Sequence, residues 1–260
     1  MNVKRVDLNS DVGEGFGAYK LGLDEQVLPL ISSANVACGF HGGDPSLMRR
    51  TVALARQHGV AVGAHPGFPD LMGLGRRRLE ASPGEVEDYV TYQIGALHAF
   101  TKEEGLRLQH VKLHGALYNM ASEDINLWEA VARAVARFDP SLVLFTLAGS
   151  RQKEMENISA RLGLKIAVEF FADRAYNPDG SLVSRRLPGA VIHDHESAAE
   201  RVVRMVTENK VICRDGKELE VKAQTICVHD DNPAAVSLTQ RIRQALQSVG
   251  VQIAPVSSFL

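Results

Sequence analysis

Short apolar runs that end in polar, chemically capable side chains recur along this chain, and each leads into a stretch of helical length. Asp7, Asn9 and Asp11 fall in and after the first run, His41 follows the second and His65 the third. Lys112 and His114 close the fourth, Glu169 with Asp173 the sixth, and Cys227 with His229 the seventh. Strands joined by helices pair in parallel, because a parallel connection needs a crossover of that length. Seven or eight such units within 260 residues predict one α/β domain over 1–260, a parallel (β/α) barrel with its chemistry at one rim. An open doubly wound sheet is the alternative. No G-x-G-x-x-G follows the first run and no P-loop occurs, which weighs against its nucleotide-binding versions.

The pattern places strands at 3–8, 34–40, 60–64, 110–114, 142–147, 165–171 and 224–228. Helices are expected at 24–31, from Pro45 to about His58, from Ser82 to near Gly105, and at 124–138, 152–162, 195–209 and 233–249. Asp44 before Pro45 is an N-cap followed by a first-turn proline, and Gly59 ends that helix. Ser82 and Glu85 have capping-box spacing. Asn177-Pro178-Asp179-Gly180 marks a turn, and 251–256 is either an eighth strand or a cap.

Strand side chains alternate between two faces, so parity sorts the candidates. Asp7, Asn9 and Asp11 share one face; so do Asn35, Ala37, Gly39 and His41, and likewise His110, Lys112 and His114. Glu169 pairs in phase with Asp173, and Thr225 with Cys227 and His229. These polar faces converge at a barrel mouth. The bland reading pairs Asp7 with Lys112 low in the barrel as structure. Four histidines at four strand ends, His41, His65, His114 and His229, are harder to assign to structure alone; His58, His98 and His110 read as structural, and Asp194 as an N-cap. Histidines with Asp11 and Glu169 suit either a mixed nitrogen/oxygen divalent-metal site or metal-free acid–base work. Cys38 faces away from His41, and Cys227 suits a buried apolar role as well as a chemical one. Arg76, Arg77 and Arg78 lie in a glycine-rich loop, and Arg174 adjoins Asp173. Such arginines bind carboxylates or phosphates bidentately, or simply form a solvated loop.

With 23% charged residues and a formal net charge of -2, the chain carries no basic field for nucleic acid and no Lys/Arg block for an anionic membrane. No apolar run approaches a membrane span, and the first 15 residues lack a signal-peptide core. Three cysteines without C-x-x-C spacing fit a reducing cytoplasm.

The segments DLNSDVGEGFG (7–17), ANVACGFHGGDP (34–45), AHPGFPDLMGLGRR (64–77), VKLHGALYN (111–119), EFFADRAYNPDGSLVSR (169–185) and CVHDDNP (227–233) resemble, in order, the motifs of the LamB/YcsF family. Leu113 stands where that family usually has proline, and Asp230 where it has glycine. The resemblance implies a barrel similar to the glycoside hydrolase/deacetylase superfamily. It also implies a part in the ATP-coupled opening of 5-oxoproline to L-glutamate, in a complex with two partner subunits, B and C. ATP would be a co-substrate of the complex, held mainly by the partners because this chain shows no phosphate-binding loop; a divalent metal is left open. Under that reading Asp11 and Glu169 supply carboxylate chemistry, and His41, His65, His114 and His229 move protons or ligate. Asn9, Lys112, Arg76, Arg77, Asp173 and Arg174 would hold the substrate. The competing readings are a free-standing metal-dependent deacetylase-like carbohydrate hydrolase and a non-catalytic binding subunit of the complex.

Overall fold

Residues 4–229 and 234–260 are described by the computed structural model; the expected strand start at Val3, Asp230 and the expected helix start at Pro233 lie outside them. The chain runs β1 (Arg5–Val12), α1 (Asp24–Val27), β2 (Ser33–Ala37), α2 (Pro45–His58), β3 (Ala61–His65), α3 (Pro83–Glu103) and β4 (Leu108–Val111). Next come α4 (Gly115–Glu123), α5 (Ile125–Phe138), β5 (Val143–Leu147), α6 (Gln152–Arg161) and β6 (Lys165–Phe171). The last part contains α7 (His195–Glu208), β7 (Lys210–Ile212), β8 (Glu218–Glu220), β9 (Thr225–Cys227), α8 (Ala235–Ser248) and β10 (Gln252–Ile253).

Strands β1 to β6 pair in sequence and in parallel, and β9 closes the ring by pairing with both β6 and β1. The result is a seven-stranded parallel barrel inside a layer of helices. Its strands are buried on both faces, as barrel walls are: every residue of β2, β5 and β9 is buried. Helix α5 shows the complementary pattern, burying Leu127, Trp128, Val131 and Val135 at helical spacing against the wall.

The local signals act where expected. Asp44 accepts hydrogen bonds from the Ser46 and Leu47 amides, and Gly59 ends α2 at φ +67°. Ser82 and Glu85 form the reciprocal capping box of α3, and Asp194 caps α7. Each such cap stabilises its helix by about 1 kcal/mol.

Residues 251–256, read as an eighth strand or a cap, lie outside the closed ring: β10 pairs with Arg5 and Val6 beside it, and the following Val256 caps one end of the barrel on Val143, Phe145 and Ala167. Two features depart from the sequence reading. Helix α4 precedes the expected helix at 124, entered by Gly115 at φ +53°. An antiparallel β7–β8 hairpin fills the link between α7 and β9; its Asp215-Gly216 pair was the available signal.

Polar side chains fill the barrel interior. His110 Nε2 donates to Asn35 Oδ1 (2.7 Å), and the ring stacks on Phe145 with centroids 4.3 Å apart. It fits only because residue 63 lacks a side chain: a Cβ on Gly63 would lie 2.2 Å from His110 Nε2. Asp7 does not pair with Lys112. It accepts from the hydroxyls of Ser32, Ser33 and Thr225 at 2.6–2.7 Å, while Lys112 turns toward the opposite end. Burial raises the Asp7 carboxyl from 3.8 to about 6, against the lowering effect of those hydroxyls.

Two measurements test this interior. Gly63→Ala should cost about 1–3 kcal/mol by overpacking, read from chemical denaturation; unchanged stability would mean His110 has room that the structure denies it. Because the folded carboxyl of Asp7 binds its proton more tightly than the unfolded one, the cost of ionising it appears as pH rises from about 4 to 6. Relative to Asp7→Asn, the wild type should lose up to about 3 kcal/mol across that window and stay level above it. A difference that does not vary with pH would contradict the assignment.

Candidate active site

Two glycine-bearing turns bring together groups from different strands. Gly13, at φ +70°, turns the chain after β1 into Glu14, and a Cβ on Gly42 would lie 2.5 Å from the Glu14 carbonyl oxygen. The loop carrying His41 therefore rests on Glu14. Beyond β4, the Lys112 amide still bonds to the Ala64 carbonyl and that of His114 to the Pro66 carbonyl, so His114 is delivered beside His65.

Glu14, His41, His65 and His114 are all buried. Glu14 Oε1 lies 3.1 Å from His114 Nδ1, 3.3 Å from His41 Nε2 and 4.0 Å from His65 Nε2. The His41 and His114 rings stack parallel at 3.7 Å, with His65 edge-on to both. Gly75 covers the stack, where a Cβ would lie 2.7 Å from His41 Cβ; this accounts for a glycine in the arginine-rich loop. Burial pushes His41 down to about 3, and its neighbour His114 adds to the effect, so His41 is neutral near pH 7. Burial opposes ionisation of Glu14, but contacts with His114 and His41 outweigh it and hold that carboxyl well below the usual range.

Asp11 joins this cluster to a second one. Its Oδ2 is 3.3 Å from His65 Nε2, and its Oδ1 accepts from Lys112 Nζ at 2.7 Å. Lys112 Nζ also lies 3.2 Å from Glu169 Oε1 and donates to Cys227 Sγ at 3.0 Å. Burial favours a neutral lysine, yet the Asp11 and Glu169 carboxylates beside it raise its pKa well above the usual value. Burial likewise resists ionisation of Asp11, and His65 and Lys112 overcome it. Tyr118 donates to Glu169 Oε2 at 2.9 Å, and burial with the adjacent Glu169 keeps that phenol protonated. The thiol of Cys227 is pushed up by burial despite Lys112, so it is no thiolate nucleophile. Cys38, pushed up to about 12 by burial, is none either.

Opposite the histidine cluster, His229 Nδ1 lies 2.8 Å from Asp173 Oδ2. A carboxylate only accepts, so Nδ1 carries the proton and Nε2 is left as the base. Burial raises the Asp173 carboxyl, and His229 more than offsets it. Above these groups opens a cavity of about 850 Å³ whose wall includes Arg76, Arg78, Arg151, Arg174, Arg185 and Arg186. Arg174 is buried and gives Nη2 to the Val183 carbonyl, while its Nε has no hydrogen-bond partner.

Of the residues expected from sequence, Asp11, His65, Lys112, His114, His229, Arg76 and Arg174 line this cavity. Glu169 stands behind Lys112 and Tyr118. Three expectations are corrected. Asn9 is fully buried and spends its amide on Glu169, Thr225 and Asn35, so it organises the wall instead of meeting a substrate. Asp173 is committed to His229. Arg77 turns away to Asp70, with its side chain 63% exposed, whereas Arg76 faces the cavity. Sequence parity missed Glu14, which sits in a turn outside any strand; its place between Gly13 and Gly15 was the only signal. It also missed Tyr118, hidden in the unexpected α4. Leu113, the departure from the family pattern, is buried just beyond β4 and contributes to the cavity wall between Lys112 and His114.

The sequence model of the LamB/YcsF family matches residues 6–260. The chain is 56% identical over 256 residues to the 5-oxoprolinase A subunit of Thermococcus onnurineus (strain NA1), covering 98% of this chain and 99% of the relative. It is 50% identical, with the same coverage, to the protein of that name from Campylobacter jejuni subsp. jejuni serotype O:6. Among solved structures, the lactam utilization protein from Thermus thermophilus superposes with a TM-score of 0.90 at 50% identity, over 96% of this chain and 99% of that one. With motifs, barrel and full-length relatives in agreement, the chain belongs to the LamB/YcsF family.

Proposed function

We propose that this chain is the A component of a 5-oxoprolinase and carries the site at which the lactam of 5-oxoproline is opened to L-glutamate, with ATP hydrolysed by the complex it forms with two partner subunits, B and C. The observation that carries the reading is identity of 50–56% over 98% of the chain to relatives named as the 5-oxoprolinase A subunit. The cavity chemistry supports it.

An unstrained lactam resists water because amide resonance protects its carbonyl. Phosphorylation of the lactam oxygen by ATP would give a cyclic imidoyl phosphate. Water adds to its carbon, the ring C–N bond breaks as nitrogen takes a proton, and the resulting acyl phosphate is hydrolysed to glutamate and phosphate. Three tasks are left: a base for water, positive charge beside the phosphorylated oxygen, and a proton for nitrogen. His229 has the base geometry, with Nε2 free and the ring oriented by Asp173. The Lys112 ammonium supplies fixed positive charge at the cavity wall, and Tyr118 holds Glu169 beside it. Arg174 and Arg76 match the substrate carboxylate or a transferred phosphate.

The reading predicts coupled release of glutamate and phosphate from 5-oxoproline and ATP by this chain mixed with its two partner subunits, and none from any pair. Release by the partners alone would overturn it. Within the active mixture, His229→Ala should lower turnover by about 100-fold or more. Arg174→Met should act mainly on KM for 5-oxoproline. Turnover within a few-fold of wild type for His229→Ala would remove that residue from the chemistry.

A further inference from the structure

Histidine tautomers in the upper cluster follow from their outer partners. His65 Nδ1 lies 2.8 Å from the Lys112 carbonyl oxygen, and His114 Nε2 lies 2.8 Å from that of Leu74. Carbonyl oxygens only accept, so each of these nitrogens carries the ring proton. The inner nitrogens, His65 Nε2 and His114 Nδ1, therefore present lone pairs, and they face each other at 3.0 Å. Glu14 Oε1, an acceptor as well, is 3.1 Å from His114 Nδ1. Three electron-pair donors thus converge on one point with no proton of their own between them.

The adjoining groups do not resolve the conflict. Among the described residues, no hydrogen-bond donor satisfies Glu14 Oε1, and neither nitrogen of His41 has a hydrogen-bond partner. Buried polar atoms left without partners are rare, because each has given up its hydrogen bonds to water and gained none in return. A positive centre among the inner atoms would satisfy Glu14, His65 and His114 together, and His41 Nε2, 3.3 Å from Glu14 Oε1, would be a fourth donor.

We propose that Glu14, His41, His65 and His114 form a binding site for one divalent first-row transition-metal ion such as zinc. One atom from each residue lies within 4.8 Å of the others. Imidazole donors favour such ions over magnesium or calcium, and the backbone carbonyls behind His65 and His114 are the outer partners that orient metal-bound histidines. Glu14, His65 and His114 line the cavity, so an ion has a path of entry and an open side. The other candidate group, Asp11, Cys227 and His229, differs in one respect: the Lys112 ammonium already contacts Asp11 and Cys227. There the cation is built into the chain.

The site stands on donor geometry, independently of the lactam reading, and it is tested without substrate, ATP or partners. Tag-free protein is stripped with a chelator and titrated calorimetrically with zinc, cobalt(II) and magnesium. The expected result is one zinc or cobalt ion per chain, raised thermal stability on binding, and no comparable magnesium binding. Glu14→Gln and His114→Ala should each weaken zinc affinity by about tenfold or more, with circular dichroism confirming that they fold. Should either fail to fold, the wild type decides by NMR, since cobalt must shift or broaden histidine side-chain signals. Absence of zinc and cobalt binding, magnesium binding as tightly as zinc, or histidine signals indifferent to cobalt would each overturn the site. A lone proton would then remain as the positive centre of the cluster.

Discussion

The Lys112 ammonium, enclosed near the barrel axis between Asp11 and Glu169, is the interaction on which the rest of the site depends. Two carboxylates buried on β1 and β6 would repel one another and resist ionisation. With the lysine between them they stay in place, and each then works outward. Asp11 reaches His65; Glu169 fixes Tyr118 and Asn9. Removing one partner from such a buried set typically costs about 3–5 kcal/mol, because the remaining charges lose their compensation.

Around that centre the cavity wall divides by chemistry. On one side Glu14, His65 and His114 turn acceptor atoms toward a common point, with His41 stacked beside them. On the other, Asp173 fixes the tautomer of His229 and leaves its outer nitrogen free to take a proton. Arg76, Arg78, Arg151, Arg185 and Arg186 occupy the exposed rim, where water keeps their desolvation cost low, whereas Arg174 is buried. The cavity of about 850 Å³ thus has the histidine cluster, the buried lysine, His229 and the arginines on its different sides. The residues that separate them, Asn9, Asn35 and Thr225, form a buried hydrogen-bonded layer with its polar atoms satisfied, which gives the site rigidity.

Small residues set the spacing of these parts. Gly63 admits His110 beneath the site, Gly42 lets the His41 loop meet Glu14, and Gly75 lets the arginine-rich loop cover the stacked histidines. The arginine loop thereby belongs to the rim of the cavity, although of its first two arginines only Arg76 faces inward.

The order of the ring strands and of every helix but α4, the parity that turns Asp11, Lys112, His114 and His229 inward, and the caps at Asp44, Ser82 and Asp194 were legible in the sequence. Each rests on local periodicity or on hydrogen bonds spanning a few residues. The partner of Lys112, the entry of Glu14 into the histidine cluster and the opposite fates of Arg76 and Arg77 were not. They depend on how loops from β1, β2, β3 and β4 meet above a closed ring, and no local pattern encodes those distances. Sequence alone determined which residue types reach the rim. Tertiary structure decided which of them touch, because closure of the ring through β9 and β1 brings together side chains as far apart in sequence as Asp7 and Thr225.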